Sequence, residues 1–222
     1  LKGFHDAASF RFDEGGAQLA FTAESDSSDK ALQKFYKLWY YKLGDDTARI
    51  IADKNTVGMK LGMGISENAK INFSKDGKKL FFGIAPLQPL KDTSLVDFEL
   101  ARLDIWNYKD DYLQPQQLKQ LNAESKRSYL AVMNLPKTGV VPLGDIDAEN
   151  CSLVNEGDAD WVLAQTSSGN RQSLQWEGRP RWTIYMINTR DGGRTLIKKN
   201  NLSAASASPG GKFVYWYDPQ EK

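Results

Sequence analysis

Apolar and polar residues alternate along most of this chain, and short clusters of turn-forming residues interrupt the alternation at intervals. Residues 9–12 lead through Asp13-Glu14-Gly15-Gly16 into an alternating run at 18–21, and Ile71-Asn72-Phe73 leads through Ser74-Lys75-Asp76-Gly77 into another at 79–82. The layout returns at Ser208-Pro209-Gly210-Gly211 before Phe213-Val214-Tyr215-Trp216, and in degenerate form at Val154-Asn155-Glu156-Gly157 before Trp161-Val162-Leu163-Ala164. The physical logic is common to all copies. An Asp or Ser side chain accepts backbone N–H bonds at the turn, Gly supplies a positive φ, and the following strand buries every second residue.

A second kind of strand pair follows. Residues 34–43 and 47–51 flank Gly44-Asp45-Asp46, residues 128–135 and 140–143 flank Pro136-Lys137-Thr138-Gly139, and residues 182–188 and 194–197 flank a turn ending Asp191-Gly192-Gly193. These runs are rich in aromatic and β-branched residues, so they read as strands. One unit is then two hairpins, or four antiparallel strands, which is the make-up of a β-propeller blade. The expectation is an all-β fold, a partial β-propeller of four-stranded antiparallel blades: three blades plus the start of a fourth. It forms one domain over 1–222, with units at roughly 1–57, 65–145, 150–200 and 201–222.

Equivalent positions Phe12, Phe73, Val154 and Ala207 lie 61, 81 and 53 residues apart. Those spacings exceed the roughly 40–45 residues of a WD-type blade, so loops and insertions lengthen each unit. In the longest unit, residues 96–108 read as a further strand, 109–117 as a polar loop and 118–126 as a short helix. The glycines at 58, 62 and 64 read as a flexible connector. Closure takes about four to eight blades. Three and a fraction do not close, so the expectation is a piece of a longer polypeptide, or a module that closes with copies of itself or with a partner. A first residue of Leu1 with no signal-like stretch after it fits a processed or truncated start.

Composition narrows the function classes. The 222 residues carry 29 Lys+Arg against 28 Asp+Glu, with pI near 7.9 and mean hydropathy −0.53. That balance lacks the basic footprint of a nucleic-acid binder, and no apolar run approaches the roughly 18–20 residues of a membrane span. No nucleic acid and no membrane is therefore expected as a partner. The single cysteine, Cys151, excludes an internal disulfide and a cysteine-based zinc site. The single histidine, His5, excludes multi-histidine metal sites, and it precedes every Ser and Asp that could join it in the Ser, Asp, His order of an α/β-hydrolase. No G-x-S-x-G occurs. We assign no catalytic residue, no cofactor and no metal ligand.

Three constellations bear on chemistry. Asp145, Asp147, Glu149 and Glu156 hold positions 1, 3, 5 and 12 of a calcium-loop spacing, but the sixth position is Asn150 where that loop needs Gly. An acidic turn is the better reading. Gly58, Gly62 and Gly64 lack the strand–turn–helix context of a phosphate loop. Asp110, Asp111 and Tyr112 form a polar–aromatic cluster in the inserted loop, and inserted loops carry function more often than framework does. They are the candidate recognition residues.

Phe73-Ser74-Lys75-Asp76-Gly77-Lys78-Lys79-Leu80 resembles the propeller repeat of the prolyl-oligopeptidase family of serine peptidases. Leu103-Asp104-Ile105-Trp106-Asn107-Tyr108-Lys109-Asp110-Asp111-Tyr112-Leu113-Gln114-Pro115-Gln116 is similar to a segment in the amino-terminal propellers of such peptidases from Bacteroides-like bacteria. Residues 206–214 resemble the repeat one blade later. The resemblance implies a propeller that precedes a covalently linked α/β-hydrolase domain, caps its Ser-His-Asp site and gates and positions peptide substrates. It also implies export to the periplasm. This chain lacks the hydrolase domain, so no catalytic residue carries over. It also lacks the adjacent glutamates with which dipeptidyl-peptidase members hold a substrate amino terminus. The alternative is a stand-alone propeller that binds protein or peptide partners without chemistry.

Overall fold

Residues 5–25, 33–90, 94 and 103–219 are described by the structure, a computed structural model. The first sheet runs in sequence order through β1 (His5–Phe12), β2 (Gln18–Glu24), β3 (Tyr36–Lys42) and β4 (Arg49–Ala52), each antiparallel to its neighbour. A short β5 (Met63–Ile65) follows, and a second four-stranded set runs through β6 (Asn72–Phe73), β7 (Lys79–Pro86), β8 (Tyr129–Asn134) and β9 (Val140–Pro142); β5 pairs with β3 and β7 and joins the two sets edge to edge. The helix α1 (Gln114–Glu124) lies in the long connection between β7 and β8. The third sheet runs through β10 (Asn150–Ser152), β11 (Trp161–Thr166), β12 (Trp182–Asn188) and β13 (Arg194–Asn201), with the one-turn α2 (Leu174–Glu177) between β11 and β12. A two-stranded sheet, β14 (Ala205–Ala207) with β15 (Val214–Trp216), follows. This is a partial β-propeller: three four-stranded antiparallel blades and a hairpin of a fourth.

Strand alternation explains how the blades stack. Side chains on a strand point to opposite faces in turn, and here each face serves a different joint. On β7, Leu80, Phe82 and Ile84 pack with Ala20, Leu38 and Tyr40 of the first sheet, while Phe81 packs with Val162 and Ile187 of the third. On β8, Ala131 and Met133 go one way and Val132 the other. On β11, Val162 and Ala164 face the second sheet, and Leu163 faces Ala205 of the hairpin. The core is therefore three separate layers, each between two blades.

The recurring turn closes the same hydrogen bonds in three copies. Asp13, Ser74 and Ser208 each donate their backbone N–H to the residue five positions on (Gln18, Lys79, Phe213), and each carbonyl accepts from a glycine three positions on (Gly16, Gly77, Gly211). The side-chain oxygen of each accepts the N–H of that fifth residue, at 2.8, 2.9 and 3.1 Å. The three glycines have φ between +65° and +67°. In the degenerate copy Val154 has no oxygen to offer. It is buried between the third sheet and the hairpin instead; the Gly157 N–H to Val154 carbonyl bond remains, and the Ala159 N–H donates to the same carbonyl at 3.4 Å.

Neighbouring turns also touch. Gln18 Nε2 donates to the Gly77 carbonyl, and the Asp76 N–H donates to Asp158 Oδ1 at 2.9 Å. Lys79 Nζ is buried and donates to the carbonyls of Asp158 and Ala159. Partial burial pushes the Asp76 carboxyl up, but the Lys78 N–H, the Ser74 hydroxyl and the Lys78 ammonium hold it down at about 2. A carboxyl depressed in the folded state stabilises above its ordinary value near 4, and that contribution is lost as pH falls through about 2. Asp76→Asn is expected to remove this contribution at pH 7 and so flatten the acid limb of the stability curve, the two proteins converging below about pH 2. Because Asp76 is well solvated, the change is small; an unaltered acid limb in urea titrations would contradict it.

Two expectations change. Gly58 is not a free connector: its φ is +87°, a Cβ there would lie 1.9 Å from the Val140 carbonyl oxygen, and the neighbouring Val57 carbonyl accepts from the Val140 N–H. Gly58→Ala is expected to cost about 2 kcal/mol, from backbone strain and the clash together. Gly62→Ala has equal sign of φ but open space and is expected to cost about 1 kcal/mol. Equal urea midpoints for the two variants would overturn the assignment. The other change is in the insertion. Residues 103–108 form no strand: the Tyr108 carbonyl bonds the Gln172 side chain of the third blade and the Asn107 carbonyl closes a local turn with the Asp110 N–H; the 96–102 part of that expectation lies outside the described residues. The helix starts at Gln114 and not at 118, with Pro115 in its first turn, where the missing N–H would have no partner anyway.

Aromatics gather at both ends of the stack. Phe10 stacks on Phe21 (centroids 5.0 Å apart) and Phe21 on Trp39 (6.1 Å), on the side of the first sheet away from the second. At the other end Val214 and Trp216 pack onto the third blade, while Phe213, Tyr215 and Tyr217 are exposed.

Candidate functional site

The inserted arm, residues 103–127, leaves the second blade and lies against the β11–β12 loop of the third. Asp111 fixes it there. Its Oδ2 accepts the Gly169 N–H and its Oδ1 the Arg171 N–H, both at 2.9 Å, and the Arg171 guanidinium stands 3.4 Å from the same carboxylate. Gln172 Nε2 donates to the carbonyls of Tyr108 and Asp110, at 2.9 and 2.6 Å. From inside the arm, Gln117 Nε2 donates to Asp110 Oδ2 (3.2 Å) and to the Tyr112 carbonyl (2.8 Å).

Arg171 is the hub. Its side chain is 11% exposed, it pairs with Glu149, whose side chain is 7% exposed, and its Nε donates to Ser167 Oγ. The guanidinium also lies 4.5 Å from the centroid of the Tyr112 ring, a cation–π contact. Close by, Arg127 grips Glu124, which holds the Glu124 carboxyl below the usual carboxylate range and raises the guanidinium.

Polar groups thus hold the arm down, and its apolar groups face outward. Trp106, Tyr108, Tyr112, Leu113, Asp110 and Gln172 line a cleft of about 340 Å³. Trp106 is 69% and Tyr108 84% exposed. The three candidate recognition residues are brought together here with divided tasks. Asp111 is spent on anchoring, Tyr112 is shared between Arg171 and the cleft, and Asp110 lines the cleft. Sequence reasoning missed Trp106, Arg171 and Gln172 as parts of one site. For Arg171 and Gln172 there was no local signal, since their partners lie about sixty residues away; the exposed Trp106 was visible only as part of a resembling segment.

The remaining candidates do not converge. Asp145 pairs with Lys60 and Arg194, Glu149 with Arg171, and Glu156 with Lys75; among the described contacts Asp147 donates its N–H to Asp145 Oδ1. Burial pushes the Cys151 thiol up to about 12, so it is not a thiolate nucleophile at neutral pH. His5 stands at the first position of β1. A second cavity, of about 250 Å³, lies where β3, β5 and β7 meet, lined by Phe35, Tyr36, Lys54, Glu67 and Leu87. Lys54 sits 3.6 Å from the Phe35 ring centroid and fills one side of it. Burial, with Asp6 and Glu67 nearby, raises the Tyr36 hydroxyl.

No protein-family model matches the sequence, and no curated protein does. Among solved structures the chain is similar to TolB from Acinetobacter baumannii, with 14% identity over 94% of this chain and 37% of that one, at a TM-score of 0.38. The β-propeller domain of the Trilobed protease from Pyrococcus furiosus gives 14% identity over 92% and 46%, at 0.40. A structure from an analysis of two prolyl endopeptidases gives 12% identity over 99% and 29%, at 0.47. The chain spans less than half the length of each. Likeness at this level concerns fold, and activity has to be argued from the site.

Proposed function

We propose that this chain is the non-catalytic propeller part of a prolyl-oligopeptidase-type serine peptidase, which gates and positions peptide substrates for a hydrolase domain elsewhere in the polypeptide. The observation that carries the reading is the arm. The segment at 103–116 that resembles these peptidases is a built feature, bonded across two blades and presenting an aromatic cleft, as a surface facing a substrate requires. In this reading the exposed Phe213–Tyr215–Tyr217 face is covered by a further blade of the same polypeptide, acyl transfer belongs to a Ser-His-Asp site outside this chain, and the protein is exported to the periplasm.

The test is labelling of the source organism's proteins with a fluorophosphonate serine probe. Peptides of this chain are expected in one labelled polypeptide far heavier than 24.9 kDa. If the chain is recovered only unlabelled, the peptidase reading falls, and a binding module without enzymatic activity takes its place.

A further inference from the structure

The cleft has a definite charge character. Among the described residues Asp110 is the only charged one that lines it, and no cation pairs with that carboxylate there. One of its oxygens accepts from Gln117; the other is uncommitted among the described contacts. The aromatic rings around it are cation acceptors, and two already show this. Arg171 lies over Tyr112 at 4.5 Å and Lys109 over Tyr108 at 5.6 Å. Trp, the strongest acceptor of the three ring types, is the one left over: among the described residues no cation lies over Trp106. An apolar wall, an open indole face and a lone carboxylate together suit a group that is apolar along its length and positive at its tip. At about 340 Å³ the cleft is near the lower end of small-ligand sites, so it accommodates one side chain and not an extended ligand.

We propose that this cleft holds the side chain of an arginine in an extended peptide. The guanidinium is planar, stacks on an aromatic face and remains charged at all relevant pH values, whereas a lysine ammonium is a more strongly hydrated point charge. The alkyl stem lies along Leu113 and the rings, the guanidinium faces Trp106, and Asp110 accepts from it. The inference rests on the proposed function only for the occupant being a peptide.

Fluorescence anisotropy on the full chain tests it, with a labelled alanine hexapeptide carrying one arginine and its partner carrying citrulline, the neutral isostere. The arginine peptide is expected to bind about tenfold more tightly, the size of a desolvated cation–π or charge-assisted contact. Asp110→Asn is expected to abolish that preference, while Trp106→Ala weakens both peptides. Equal affinity for the two peptides on the unmodified chain overturns the proposal, and so does a preference that survives Asp110→Asn. Because the first comparison uses no variant, it does not depend on any substitution folding. A chain that prefers arginine yet never appears in a probe-labelled polypeptide would retain the cleft assignment and lose the peptidase.

Discussion

Phe81→Ala and Phe82→Ala are each expected to cost about 3–5 kcal/mol, the range for emptying a buried aromatic site, yet to damage different joints. Both rings are essentially fully buried. Phe82 sits in the layer between the first and second blades, with Leu38 and Met133, and Phe81 in the layer between the second and third, with Val162 and Ile187. Gly157 sharpens the case for Phe81, because a Cβ there would approach that ring to 2.9 Å, so the packing leaves little slack. Urea midpoints measure the loss, and amide hydrogen exchange locates it. Phe82→Ala is expected to loosen β2 and β3, and Phe81→Ala to loosen β11 and β12. One exchange pattern shared by both variants would mean that the cores are not separate layers.

Arg171→Ala is expected to lower stability by about 3 kcal/mol and to free the arm. The loss arises mainly from Glu149, left as a nearly buried carboxylate without its counter-ion; removing one member of such a pair costs far more than the pair contributes. Ser167 loses a donor and Tyr112 a cation at the same step. Trypsin reads the second effect, since Lys109, Lys119 and Lys126 all lie in the arm. Cleavage there should accelerate well before global unfolding. Arg171→Lys keeps the charge but not the fork and is expected to fall between the two. An arm as resistant in the alanine variant as in the original would remove Arg171 from its role as anchor.

Much of the fold was legible because its signals are local. The turn at Asp13, Ser74 and Ser208 announces itself by an oxygen, a glycine and an alternating run within nine residues, and β12 occupies the residues its aromatic and β-branched content indicates. The degenerate copy at Val154 was legible for the same reason, since losing the oxygen weakens the turn while the glycine keeps it. What stayed hidden depends on distant partners. Nothing near Gly58 says that the Val140 backbone will pass beside it, and nothing near Asp111 says that its carboxylate will take two amides from a loop some sixty residues on. Strand-like alternation at 103–108 misled because alternation reports a face to bury, and this segment has no sheet to join.

The blade joints are tied unequally. Between the first and second blades, β5 pairs with both β3 and β7 and makes one nine-stranded sheet. Between the second and third, the arm adds its own bonds to the core. Among the described contacts, the hairpin β14–β15 is tied to the third blade by the Gln165 side chain, whose amide exchanges two hydrogen bonds with the Ala205 backbone, and by a small core layer. A one-dimensional ladder opens at its weakest rung, so thermal fraying begins at the hairpin and travels inward. The cleft straddles only the rung between the second and third blades. Whatever occupies it is insensitive to fraying at the hairpin and registers the opening of that one joint.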